Sequence, residues 1–140
     1  MNKIVSKEYL SPNVVKFEVE APLIAKARKA GHFVMVRVGE KGERIPLTIA
    51  DANIEKGTIT LIVQKVGFST IKFCTLEVGD IITDLVGPLG NPTHVEKFGT
   101  VLCACGGVGT APMLPIVESM KKAGNRVVTV LAARTKELIM

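Results

Sequence analysis

At 140 residues, 47% of them apolar, the chain has the size and apolar content of one domain with a real core. Its net charge of +5 comes from basic residues scattered along the chain, the pattern of a solvated basic surface. With 4% aromatic residues and no Trp, it is poorly equipped to stack single-stranded nucleic acid, and nucleic acid is not an expected partner. No stretch approaches the roughly 18 to 20 apolar residues needed to cross a bilayer, and Met1–Glu8 lacks the apolar region of a signal peptide. Cys74, Cys103 and Cys105 have neither disulfide-framework nor metal-site spacing, which suggests a reducing compartment. The expectation is a cytoplasmic protein with no bound metal.

The chain begins β-rich. Lys3 to Tyr9 and Val14 to Glu20 read as strands around the turn Ser11-Pro12-Asn13. In the second, Val15, Phe17 and Val19 alternate with Lys16, Glu18 and Glu20, the period of a sheet with one wet face. Pro22 to Lys29 reads as a short helix or loop, and His32 to Val38 as a strand. Arg44 to Ala50 reads as a strand interrupted by Pro46, which puts it at an edge or beside a ligand. Thr58 to Val66 alternates clearly, Ser69 to Leu76 suits one short helix, and Asp80 to Val86 is a further strand. The loop Gly87-Pro88-Leu89-Gly90-Asn91-Pro92 follows. So many short strands in under 100 residues predict a small antiparallel β-barrel over 1–97.

Near Phe98 the pattern changes. Gly99 to Leu102 opens an apolar strand that runs into Cys103-Ala104-Cys105-Gly106-Gly107-Val108-Gly109-Thr110-Ala111-Pro112. Met113 to Ala123 is then a helix with Leu114, Val117 and Met120 on one stripe, closed by Gly124, and Val127 to Ala132 is a second strand. A strand turning through glycines into a helix offers free N–H groups and the positive end of the helix dipole to a phosphate. The third glycine of the dinucleotide fingerprint is replaced by Pro112, and Arg134 stands where a ribose-binding carboxylate is expected. A glycine-rich turn in an ordinary α/β unit accounts for the same residues. Residues 98–140 are therefore expected to be the start of an incomplete α/β nucleotide-binding domain, because two parallel strands and one helix cannot cover a parallel sheet.

Three further stretches suit ligand binding. Arg44-Ile45-Pro46-Leu47-Thr48 sets a guanidinium, the group suited to phosphate, beside a stiffened strand ending in a hydroxyl. Gly67-Phe68-Ser69-Thr70 places two hydroxyls at a helix start, and Gly87-Pro88-Leu89-Gly90-Asn91 is a tight loop between the two parts of the chain. Each also reads blandly, as a solvated charge, an ordinary cap and a plain turn.

Taken in order, R-x-P-L-T, G-x-S-T, G-P-L-G-N and C-G-G-V-G-T-A-P resemble the ferredoxin–NADP reductase-like flavoproteins across the whole chain. The likeness is to the branch of the dihydroorotate dehydrogenase electron-transfer subunit, the small subunit of NADH-dependent reduced ferredoxin:NADP oxidoreductase, and a sulfide dehydrogenase subunit. The resemblance implies a barrel that binds FAD and a second domain that binds NAD(P)H. It implies that Arg44, Pro46, Leu47 and Thr48 line the flavin and its phosphates, and that Ile62, Val63, Gln64 and Lys65 face its ribityl and adenosine side. Gly67, Ser69 and Thr70 would hold the pyrophosphate, and Gly106, Gly107, Val108, Gly109 and Thr110 the nicotinamide dinucleotide. The implied activity is that of a flavoprotein oxidoreductase subunit: electrons pass from NAD(P)H through FAD to an iron–sulfur or ferredoxin partner, within a hetero-oligomer containing a larger subunit.

The chain departs from the commoner R-x-Y-S pattern, with Leu47 before Thr48 and Arg44 one place farther upstream. It contains none of the C-terminal cysteine cluster that holds a [2Fe–2S] centre in relatives of this type. Cys103 and Cys105 read as core thiols, His32 as structural, and His94 as lacking an evident partner. No catalytic side chain is expected, because the reactive groups belong to the cofactors. The alternative from another class is a non-redox β-barrel interaction module whose glycine loop is structural; such a protein would be colourless.

Overall fold

Period-two burial builds the first sheet. Val15, Phe17 and Val19 are fully buried in β2 (Val14–Glu20), while Lys16, Glu18 and Glu20 between them are not. In the computed structural model, which describes residues 1–139, β2 pairs with β1 (Ile4–Ser11) and with β5 (Thr58–Gln64). The six strands of this sheet are ordered β1-β2-β5-β4-β3-β6, with β3 at Phe33–Arg37, β4 at Ile45–Asn53 and β6 at Asp84–Leu89. All its neighbours are antiparallel. The edges approach each other at an isolated Lys3–Ile81 bridge, supported by hydrogen bonds from Ile4 N to Asp80 O and from Ile82 N to Asn2 O. The expected strand from Asp80 is thus only a bridge until Asp84.

Two short helices close the core. In α1 (Pro22–Ala27) proline stands at the first turn, where its missing N–H costs nothing, and Ile24 and Ala25 point inward. In α2 (Phe68–Cys74) Phe73 is fully buried and meets the Phe17 ring edge-on, with centroids 5.1 Å apart.

The Gly87–Leu89 segment, expected in a loop, lies in β6. The strand is an edge, so Pro88 forfeits no central ladder bond. Gly87 is needed for close approach: a Cβ there would stand 2.7 Å from Val34 Cγ1.

Residues 90–99 run without helix or strand to a second, parallel pair, β7 (Thr100–Gly106) and β8 (Arg126–Ala132). Between them lies α3 (Thr110–Lys122), which begins three residues earlier than expected. Proline fits the first turn of a helix, so Pro112 does not delay the start. Ala111, Pro115 and Met120 are the buried positions of α3, whereas Leu114 of the expected stripe is 44% exposed. On the face of the pair bearing Leu102, Val128 and Val130, all three side chains are exposed. Cys103, on the opposite face, is buried.

The junction between the sheets is held by Asn125, which sequence reasoning passed over. It is 6% exposed; its Oδ1 accepts from Phe98 N at 2.6 Å and Gly99 N at 2.9 Å. Its Nδ2 donates to Glu96 O at 2.8 Å and Met120 O at 3.0 Å. One side chain thereby satisfies backbone groups of both the connecting segment and the end of α3.

Candidate functional site

The first group of candidate residues lies where β4 leaves β5. The two strands are paired from Asn53–Thr58 to Ile49–Leu61, with a register shift between Ile49 and Asp51. Beyond that point β5 continues beside β2 as far as Gln64, whereas Ile45–Thr48 pairs only with β3. Pro46 therefore sits in an interior strand, yet on a stretch whose other edge has no strand partner. The two stretches predicted to line the flavin, Arg44–Thr48 and Ile62–Lys65, are the lips of this opening.

Their side chains divide between the two faces. Leu47 packs against the hydrophobic core and Val63 lies within it, whereas Pro46 and Gln64 are exposed. Ile62 turns toward α3, sharing a cavity of about 410 Å³ with Thr110, Leu114 and Cys105. Lys65 lies with its Nζ 5.2 Å from the centroid of the Tyr9 ring. Leu47 and Val63 can meet an outer-face ligand only through their backbone.

Across the opening stands the start of α2. Gly67 is the N-cap, and a Cβ there would meet nothing within 4 Å. The Thr70 Oγ1 accepts hydrogen bonds from Val66 N at 2.9 Å and Gly67 N at 3.0 Å, locking the entry to the helix. Ser69 Oγ donates to Glu43 Oε2 at 2.8 Å, which ties α2 to the residue preceding Arg44. A carboxylate oxygen thus already accepts from the hydroxyl predicted to face a phosphate. Arg44 itself bonds Asp84 Oδ2 at 3.1 Å, and Arg37 Nε holds the same oxygen at 2.6 Å. The Arg37 hydrogen bond, opposed by partial desolvation and aided by the charges of Arg37 and Arg44, holds the Asp84 carboxyl below the usual carboxylate range. Both cationic and hydroxyl donors at this opening are paired with acids in a manner an anionic ligand could replace.

The second group surrounds the glycine turn. Gly106 ends β7, Gly107–Gly109 form a 3₁₀ turn, and Thr110 starts α3. Gly107 has φ +57°, a conformation that favours glycine, and neither Gly107 nor Gly109 has an atom within 4 Å of where a Cβ would stand. The turn faces a cleft of about 590 Å³ at the carboxyl ends of β7 and β8, where α/β sheets receive ligands. Its other wall comes from the first sheet, through Ser11, Asn13 and Gln64, and Arg134 lies on the β8 side. Among the described residues, Ser11 Oγ is buried there without a hydrogen-bond partner. Gln64 is the candidate residue that joins the glycine turn in this cleft, and Thr110 lies in the adjoining cavity with Ile62.

Cys74 and Cys103 are buried free thiols, with burial pushing the Cys74 thiol up; Cys105 is partly exposed and lies near Val130 O at 3.8 Å. His32 Nδ1 accepts from Lys29 N at 2.9 Å in a tight turn. His94, expected without a partner, has one: its Nε2 is 3.3 Å from Glu96 and its ring stands edge-on to Phe98. Among the described residues no cluster of three His, Cys, Asp or Glu could hold a metal, and no helix is long and apolar enough to cross a membrane.

This arrangement recurs in known proteins. The chain is 44% identical over its full length to the electron-transfer subunit homolog of dihydroorotate dehydrogenase B (NAD(+)) from Thermotoga maritima, covering 50% of that protein. It is 29% identical to the corresponding electron-transfer subunit from Streptococcus pneumoniae, covering 99% of this chain and 55% of that one. Among solved structures, an NADH-dependent reduced ferredoxin-NADP oxidoreductase superposes with a TM-score of 0.97 at 46% identity, over 100% of this chain and 51% of that one. Phthalate dioxygenase reductase, at 24% identity and a TM-score of 0.77 over 97% of this chain and 44% of that one, shares the fold. No protein-family model matches. The chain spans about half the length of the curated relatives it matches.

Proposed function

We propose that this chain belongs to the ferredoxin–NADP reductase-like family, in the branch of the dihydroorotate dehydrogenase electron-transfer subunits it resembles, and that it is the FAD-binding portion of an electron-transferring oxidoreductase subunit. In this reading residues 1–97 form the FAD domain, a barrel whose edges meet at the Lys3–Ile81 bridge, and residues 98–140 begin an NAD(P)-binding domain. The observation that carries it is the opening between β4 and β5, with Arg44 on one lip and the Gly67–Thr70 turn across it, joined by the Ser69–Glu43 hydrogen bond.

The residues fit the group. Arg44 and Ser69 bind the flavin phosphates by exchanging Asp84 and Glu43 for phosphate oxygens, and the open face over Gly67 lets the backbone approach them. Pro46 and Thr48 stand along the free edge of β4, and Leu47 contributes backbone. From β5, Gln64 and Ile62 face outward and Lys65 lies at the exit, while Val63 anchors the strand. The unpartnered Ser11 hydroxyl and the glycine turn Gly106–Thr110 wall the cleft that receives the nicotinamide dinucleotide. A bound flavin supplies hydride acceptance from NAD(P)H and release of single electrons. The chain's own residues bind, orient and exclude water; none donates or removes a proton. An iron–sulfur or ferredoxin partner and a larger subunit take the electrons onward. The [2Fe–2S] centre of such relatives is not assigned to Cys74, Cys103 or Cys105.

Titrating FAD with the chain and with its Arg44→Ala and Ser69→Ala variants tests this reading. Saturable binding weakened about tenfold by Arg44→Ala, the loss of one charge-assisted hydrogen bond, is expected. Absence of binding, or binding indifferent to both substitutions, would refute it. A colourless protein would favour the interaction-module alternative.

A further inference from the structure

A cavity of about 580 Å³ lies among α1, the turn that follows β4, the connecting segment and α3. That volume falls within the roughly 300 to 1,000 Å³ of small-molecule sites. It shares no residue with the β4–β5 opening or with the glycine-turn cleft. Three cations line it: Lys26 in the last turn of α1, then Arg28 and Lys29 directly after the helix. No carboxylate among the described residues does so, whereas the glycine-turn cleft carries Glu137 as well as Arg134. Arg28 is well held, its side chain 17% exposed. Among the described residues its guanidinium has one partner, Asp51 Oδ1 at 3.4 Å, which leaves most of its five N–H donors to a further acceptor. Much of the remaining lining is apolar, with Ala25 and Ala30 buried and Ile54, Pro92 and Val95 on the facing segments. Thr93 N donates to Ala30 O at 2.9 Å and fastens the connecting segment to the turn after α1. The helix dipole favours cations at the end of α1, but it does not account for an apolar hollow beside them to which a second helix contributes Ser119.

We infer that this cavity binds a small organic phosphate, a compact apolar body carrying one phosphate monoester, at a site separate from those of the flavin and the nicotinamide dinucleotide. A phosphate monoester carries roughly −1.5 to −2 charges at neutral pH, which matches a group of cations better than a single carboxylate does. Arg28 supplies the planar, bidentate donor, and Lys26 and Lys29 supply point charges. The alanines, Ile54 and Val95 take the organic body. The lining comes from α1, the connecting segment and α3, so a bound ligand fastens the first sheet to the helix of the parallel pair. Nothing in this inference depends on flavin binding.

Backbone amide shifts, followed by NMR while the chain is titrated with phenyl phosphate, inorganic phosphate or benzoate near neutral pH, test the inference. Phenyl phosphate is expected to shift the amides of Ala30, Thr93 and Ser119 together and saturably. Inorganic phosphate, lacking the apolar body, should bind about tenfold more weakly, and so should benzoate, which carries one charge. Arg28→Gln is expected to weaken phenyl phosphate about tenfold and Lys29→Gln about threefold. Lys29 is exposed, so its variant keeps the test decisive if Arg28→Gln unfolds, which thermal unfolding of each variant checks. Arg44→Ala, at the flavin opening, should leave phenyl phosphate binding unchanged. If phenyl phosphate leaves these amides unmoved, or if Arg44→Ala rather than Lys29→Gln weakens it, the site is refuted whether or not the chain holds FAD. Benzoate binding as tightly as phenyl phosphate would overturn the assignment to a phosphate. Inorganic phosphate binding as tightly would overturn the apolar half of the site.

Discussion

At the scale of single residues, the site is built from donors that are already engaged. Ser69 donates to Glu43 and Arg44 to Asp84, so an incoming phosphate competes with carboxylates of the chain itself. Glu43→Gln removes a like charge from beside the phosphate and is expected to tighten FAD binding roughly two- to fivefold, the scale of an exposed charge interaction. Fluorescence titration measures it, and weaker binding would show that Glu43 positions the ligand instead. Asp84 gives a pH signature. Its folded pKa lies below the ordinary value near about 3.9, so its contribution to stability is fully present above about pH 4 and is lost as pH falls through the lower folded value. Asp84→Asn removes that contribution. Melting temperatures should therefore differ between wild type and variant at neutral pH and converge on acidification below about pH 4. A gap that stays constant down to pH 2 would mean that the Arg37–Asp84–Arg44 cluster does not couple to folding.

At the scale of elements, the connection from β6 to β7 depends on Asn125. Asn125→Ala strands two backbone N–H groups, at Phe98 and Gly99, and two carbonyls, at Glu96 and Met120. The cost expected is about 2 kcal/mol, read from chemical unfolding of wild type and variant. A change within about 0.5 kcal/mol would mean that water replaces the amide. Nothing local marks Asn125, since an Asn after Gly124 reads as a helix stop and its four partners lie elsewhere in the chain. β2, by contrast, was legible to the residue because its alternation is set by one buried face. The start of α3 was not, because Gly109 and Pro112 read as breakers although Pro112 suits the first turn, where a missing N–H costs nothing. Strand order was equally hidden. The gap between β4 and β5 arises from pairing between distant segments, and Pro46 was its one local sign.

At the scale of the molecule, two sheets meet across a cleft walled by both. The candidate motifs were legible in sequence as separate loops, but their joint use of space is a product of topology: Gln64 of the antiparallel sheet faces the Gly106–Val108 turn of the parallel pair. The glycine turn presents backbone and little side chain, whereas the β4–β5 opening presents charge. Flavin retention should therefore survive damage to the turn. Gly107→Val, strained at φ +57°, is expected to leave FAD affinity unchanged within about twofold while weakening any NAD(P)H binding. Equal loss of both ligands, followed by absorbance and fluorescence titration, would mean that the two sites are one.

The central claim, that this chain holds a flavin, is tested most directly by incubating it with FAD, removing free flavin and recording the visible absorbance spectrum. A yellow protein carrying one flavin per chain is expected. A folded but colourless chain, with its flavin lost entirely to the filtrate, would contradict it.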